Sequence, residues 1–147
     1  MRHLGLRLLT SAALLSNLVG CGSAVNPANL GPRELVVAYY ASLEKGDTSG
    51  ARADLAPSLA SLQDSAVDSD FVNLQSLKNA VVGQDRPTGT AGTSFQNYYE
   101  LREMAVTFDA VYKQEITGRS GRQTRFVLVG RATNTSTWQI VSIGSGP

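Results

Sequence analysis

Thiols and imidazoles are almost missing from this sequence. Its single cysteine, Cys21, and single histidine, His3, both lie near the start of the 147 residues. Beyond residue 21 there is therefore no Cys or His zinc ligand, no Cys–His pair and no Ser–His–Asp triad. A general base would have to be a carboxylate, a lysine or a tyrosine with a displaced pKa. No disulfide can close within the chain, so apolar burial must hold any folded domain together. Phosphate-cradling glycine loops are missing too, since Gly89 and Gly92 sit in a loose loop without strand and helix flanks. On these absences we expect no metal, no cofactor and no assigned catalytic residue.

Long apolar runs are equally scarce. Leu8–Val19 is the strongest, diluted by Thr10, Ser11, Ser16 and Asn17, and it falls short of the roughly 20 residues of a membrane span. Arg2, His3 and Arg7 precede it, which is the order of a secretory leader. Its end, Leu18-Val19-Gly20-Cys21, resembles a bacterial lipobox. That resemblance implies cleavage before Cys21, a diacylglycerol on its thiol, and further acylation of the new amino terminus. Two or three acyl chains anchor firmly, each buried methylene contributing ~0.8 kcal/mol. An ordinary leader cut near Gly20 or Ala24 would instead leave an exported thiol without a partner. The reading is a leader over 1–20 and a lipidated cysteine with a tether over 21–31, then one domain over 32–147. It places the protein outside the cytosol, on the outer leaflet of the cell membrane or on the outer membrane of a diderm.

Without residues 1–20, eleven basic residues face twelve acids. Residues 21–85 carry four basic residues against eight acids, and residues 86–147 carry seven against four. Such asymmetry fits two solvated faces of a helix-plus-sheet domain better than a polyanion site. No nucleic-acid partner is expected, because the basic residues lack aromatic interleaving.

Gly31-Pro32 opens a helix in which Val36, Tyr40 and Leu43, with Leu35 and Tyr39, make a broad apolar face. Gly46 is its stop. Asp47 or Thr48 caps a second helix repeating Ala51 and Leu55, and Pro57 ends or kinks it, with a short turn restarting at Ser58. Residues 63–71 read as a turn region. A strand is preferred from Val72 to Val82, although Leu74, Leu77 and Val81 also suit a helix. Residues 83–94 read as a long loop. Val106, Phe108, Ala110 and Tyr112 alternate in a long strand, "TRFVLVGRA" is a second with Gly130 as bulge or bend, and "TWQIVSI" is a third. The fold class is α+β, with N-terminal helices packed on a mostly antiparallel, curved sheet.

"PRELVVAYYASLEKGD", the alternating strand and the terminal "WQIVSIGSGP" resemble the nuclear transport factor 2-like, or cystatin-like, fold. More narrowly they resemble uncharacterised bacterial lipoproteins of that fold. The resemblance spans residues 32–147 and implies a cone whose sheet and helices can enclose a pocket. It implies no single activity.

Pocket or interaction candidates are Tyr39, Tyr40, Asp109, Tyr112, Arg122, Arg125 and Trp138. Asp109 faces away from the Val106, Phe108 and Tyr112 row, so it meets solvent if that row is the core, and is a buried base if the register is reversed. Tyr39 and Tyr40 suit helix-on-sheet packing, and Trp138 a core anchor of the last strand. Arg122 and Arg125 belong to a basic hairpin that could meet lipid headgroups or a wall polymer. The expectation is a membrane-tethered, non-catalytic binding or interaction domain, serving an envelope protein, a wall component or a small ligand. Its rivals are a pocket enzyme of the ketosteroid-isomerase or dehydratase type using Asp or Tyr, and a dimerising structural subunit.

Overall fold

The computed structural model describes residues 30–145. The expected leader, Cys21 and most of the tether lie outside the described residues. Helix α1 spans Pro32–Glu44 and buries Leu35, Val36, Tyr39, Tyr40 and Leu43 on one stripe. The chain leaves it through a left-handed glycine. Asp47 N–H donates to Ser42 O at 2.9 Å, Gly46 N–H donates to Leu43 O at 3.0 Å, and Gly46 has φ 71°. That geometry satisfies the last carbonyls of the helix, as Gly46 led us to expect.

Asp47 caps α2, Thr48–Ala53, by accepting from Gly50 N–H at 2.9 Å. The expected repeat through Leu55 stops short, because residues 54–56 leave the helix to run beside the last strand. Ile140 N–H donates to Asp54 O and Ala56 N–H donates to Ile140 O, at 2.9 and 2.8 Å. Pro57 opens a helix here, at the start of α3, Pro57–Ser65. The expected turn region over 63–71 is partly helical, since α3 runs on to Ser65 and a single turn, α4, spans Asp70–Asn73.

The sheet comprises β1 Leu74–Val82, β2 Arg86–Thr88, β3 Glu100–Tyr112, β4 Gly121–Arg131 and β5 Gln139–Gly144, all antiparallel. Strands β3, β4 and β5 form the expected meander, and β1 pairs on the far side of β3. The stretch read as an unbroken loop contains β2, which extends the same edge by pairing with Leu101–Glu103. Met104, Val106, Phe108, Ala110 and Tyr112 of β3, with Val127, Val129 and Ile140, join the α1 stripe in the main core.

A smaller cluster lies on the reverse face, where Leu101, Ala56 and Val141 are packed by Phe95, Tyr98 and Leu128. Gly130 stays in register with Leu101 and Gln139, so it is not the bulge. A Cβ there would come within 2.7 Å of the Tyr98 ring, and the missing side chain is what admits that ring. The outer edge of β1 is occupied by side chains of α1. Arg33 donates to Val82 O and Gly83 O, and Glu44 accepts from Ala80 N–H.

Candidate functional site

Asp70 begins α4 and is buried, at 4% relative exposure. Its backbone N–H donates to Gln63 Oε1 at 3.1 Å, while Ser69 Oγ caps the turn by accepting from Val72 N–H at 3.2 Å. The N–H groups of Asp70, Val72 and Asn73 are therefore engaged, but the Asp70 carboxylate is not: neither oxygen has a hydrogen-bond partner. Buried polar atoms are paired in the great majority of cases, so this exception calls for an explanation.

Two more buried oxygens share the predicament, the hydroxyls of Tyr39 and Tyr40 on α1. Their rings pack edge to face at 5.2 Å, and Tyr40 leans on Phe108 at 5.3 Å. Aromatic packing accounts for the rings and leaves both O–H groups without a partner. Below them on the sheet, Arg125 Nη2 donates to the Tyr112 hydroxyl at 3.1 Å. This bond joins β4 to β3 on the core face.

Burial is the first cause acting on these groups. It raises Asp70 above the usual carboxylate range, with Arg125 pulling it back and Asp68 pushing it further up. Burial also raises Tyr39, Tyr40 and Tyr112, and the Asp70 charge adds to the rise in each. One acid, one guanidinium and three phenols thus share one electrostatic neighbourhood. Asp70 and Arg125 also line a cleft of about 180 Å³, with Leu62, Gln63, Ala66, Asp68, Ser69 and Thr117. Thr117 Oγ1 donates to Asp68 Oδ2 at 2.8 Å, tying the loop after β3 to that before α4. Asn73 strengthens the link by donating to Gln114 O and accepting from Gln114 N–H. Proton-holding oxygens beside a cation and an opening can bind a polar ligand, and can exchange a proton with one.

The sequence candidates divide on this geometry. Tyr39, Tyr40, Tyr112 and Arg125 come together. Asp109 stands on the reverse face with 42% of its side chain exposed, paired to Arg122 at 3.4 Å. The register is thus the one that turns Asp109 to solvent. Asn79, held at φ 58°, donates to Asp109 at 2.8 Å. That hydrogen bond is the main cause holding Asp109 below its ordinary pKa; partial desolvation opposes it, and Arg122 assists. Arg122 therefore lies on the opposite face from Arg125, and the basic hairpin does not form one surface. Trp138 is half-buried against the core, with the Arg131 guanidinium 4.8 Å above its ring.

Sequence reading missed Asp70. It lies in the polar run "QDSAVDSDF", where three carboxylates and two serines look alike. The available signal was Ser69-Asp70 directly before Phe71, a capped turn leading into the strand.

Residues 33–144 match a family model described as Domain of unknown function (DUF4829). The chain belongs to that family. No curated protein and no solved structure matches it. The matched span takes in nearly every described residue, so the DUF4829 domain includes both the cleft and the sheet that supports it. Among the described residues no group of three or more His, Cys, Asp or Glu is arranged to hold a metal ion, and no helix is long and apolar enough to cross a membrane.

A second groove, of about 630 Å³, lies at the start of α1 and is lined by Arg33, Glu34, Asp85, Glu100, Arg102, Arg131 and Trp138. Several of its charges are mutually satisfied. Arg131 donates to Glu100 from Nε at 2.9 Å, and Arg102 reaches Glu100 at 2.7 Å and Asp85 at 3.5 Å. Burial alone would raise Glu100, but the Arg102 and Arg131 hydrogen bonds outweigh it and hold Glu100 low.

Proposed function

We propose that this chain is a lipid-anchored, extracytoplasmic binding domain that takes a small polar ligand in the cleft beside Asp70. The lipobox-like Leu18–Cys21 supports the anchor and the location outside the cytosol. The helical layer on an antiparallel sheet, with a polar cleft between them, supports a nuclear transport factor 2-like arrangement. One observation carries the binding reading: a buried acid with both oxygens unpartnered, in a residue that lines a cleft. Evolution tolerates such a group where binding needs it and the fold does not.

The test is stability. Asp70→Asn removes the charge with little change in shape. We expect it to stabilise the domain by about 1–2 kcal/mol at pH 7, the relief of an unpaired buried charge. The gain should vanish near pH 3, where both side chains are neutral. A loss of stability at pH 7 would mean that Asp70 serves the fold, and the binding reading would fall. The anchor is tested separately: labelled palmitate should enter the wild-type product and not the Cys21→Ala variant.

One observation favours a second reading. Asp70 is raised by burial and lines a cleft, a combination also found in general acids and bases. On that reading the pocket enzyme uses Asp70 in place of Asp109, with Tyr39 and Tyr40 as hydrogen-bond donors. The dimerising alternative has less support. The reverse sheet face carries Thr107, Asp109, Arg122 and Thr124 among its residues, so it offers no continuous apolar surface.

A further inference from the structure

The unmade ion pair between Asp70 and Arg125 has a shape that selects among ligands. Both line the same cleft. Each feels the charge of the other. Yet the Asp70 carboxylate has no hydrogen-bond partner, and the one side-chain hydrogen bond of Arg125 goes to Tyr112. A buried carboxylate is costly without a countercharge, and a guanidinium carries five N–H donors, of which Tyr112 occupies one. A ligand that lay between them would meet acceptors at one end and donors at the other.

Charge narrows the choice further. A simple anion would suit Arg125 but would sit against Asp70 and Asp68. A simple cation would suit both acids but would sit against Arg125. A neutral apolar molecule would leave every one of these groups unpaired. A molecule with an ammonium and a carboxylate a few ångströms apart answers both ends at once. Leu62 and Ala66 on the cleft wall leave an apolar side for a short side chain. The volume, about 180 Å³, is below the 300–1,000 Å³ common for drug-sized ligands and suits a single small building block.

We infer that the cleft binds a free α-amino acid, its ammonium on Asp70 and its carboxylate on Arg125. This rests on the binding reading above and names its ligand class. Binding forms no covalent bond and needs no co-reactant. Asp70 is itself buried, at 4% relative exposure, and a low local dielectric strengthens both charged contacts.

The experiment uses the full chain in detergent micelles, with tyrosine and arginine side-chain NMR signals as the readout. Three matched probes are titrated: L-alanine, L-alaninamide, which lacks the carboxylate, and N-acetyl-L-alanine, which lacks the ammonium. The alanine series is then repeated with L-serine and L-leucine, to allow for side-chain preference. We expect the zwitterion to bind at least tenfold tighter than either truncated form. Asp70→Asn should abolish its advantage over the N-acetyl form, and Arg125→Gln its advantage over the amide. Asp109→Asn should leave all three unchanged.

If the amide or the N-acetyl form binds as well as the parent amino acid, the ligand class is wrong while the cleft remains a binding site. If no probe moves the Tyr112 or Arg125 signals, the inference is overturned. The Asp70→Asn stability measurement then decides separately whether the binding reading falls with it.

Discussion

Two arginines six residues apart on β4 stand in opposite circumstances. Arg131 is fully engaged: it pairs with Glu100, donates to Asn134 O at 2.8 Å, and lies between the rings of Tyr99 and Trp138 at 5.5 and 4.8 Å. Arg125 makes a single side-chain hydrogen bond, beside an acid that it does not touch. Both side chains belong to one strand face and to one residue type. The difference lies in what the fold has left undone. Polar groups that exist for the fold are satisfied by the fold. Those that are buried and unsatisfied call for a partner from outside the chain.

The contrast breaks most visibly at the satisfied end. Glu100→Ala would strip the acidic partner from Arg131 and one of two from Arg102, and should cost about 2–3 kcal/mol in urea unfolding. A cost near zero would mean that the Arg131 end is no more structural than the cleft. Next in size is Asp70→Asn, whose expected gain has the opposite sign. Smaller again are the phenols. Tyr112→Phe loses the hydrogen bond from Arg125 and should cost about 1 kcal/mol. Tyr39→Phe and Tyr40→Phe lose no hydrogen bond and should be neutral or slightly stabilising by thermal unfolding. A cost at Tyr39 or Tyr40 equal to that at Tyr112 would erase the distinction between used and unused hydroxyls.

Acidity sharpens the same point. Burial pushes Asp54 up to about 6, against about 3.9 in an unfolded chain. The folded state holds that proton longer, so its contribution to stability is whole below pH 4 and is lost as pH rises through 6. Asp70 acts with the same sign. Unfolding free energy should therefore fall from pH 4 to above 6, and Asp54→Asn should flatten the slope. The smallest effect belongs to Asp109, where Asp109→Asn should leave the unfolding midpoint unchanged, as exposed pairs usually do.

Much of the architecture was legible because it follows simple periods. The α1 stripe repeats at helical spacing, and Val106, Phe108, Ala110 and Tyr112 repeat at two. Where the period fails, so did the reading. In β1, register shifts between Leu74 and Ser76 and between Lys78 and Val81 place the buried Leu77 and Val82 five residues apart. That spacing fits neither strict template, which is why helix and strand competed there. The β2 segment has three residues, too few to show alternation. Tyr39, Tyr40, Tyr112 and Arg125, which share the electrostatic surroundings of Asp70, were legible because tyrosine and arginine on apolar faces are conspicuous. Asp70 was not, because apart from the Ser69 cap little local separates it from Asp64 or Asp68. Only the packing of α4 against α3, with Asn73 bonded to Lys113 and Gln114 forty residues on, makes it a buried acid.

Side-chain carboxyl titration followed by NMR tests the central claim most directly. Asp70 should take up its proton at a pH above the ordinary ~3.9, and Asp109 at a pH below it. If the two protonate together near the ordinary value, Asp70 is a solvated acid, and the contrast between the open and the finished ends of the sheet is lost.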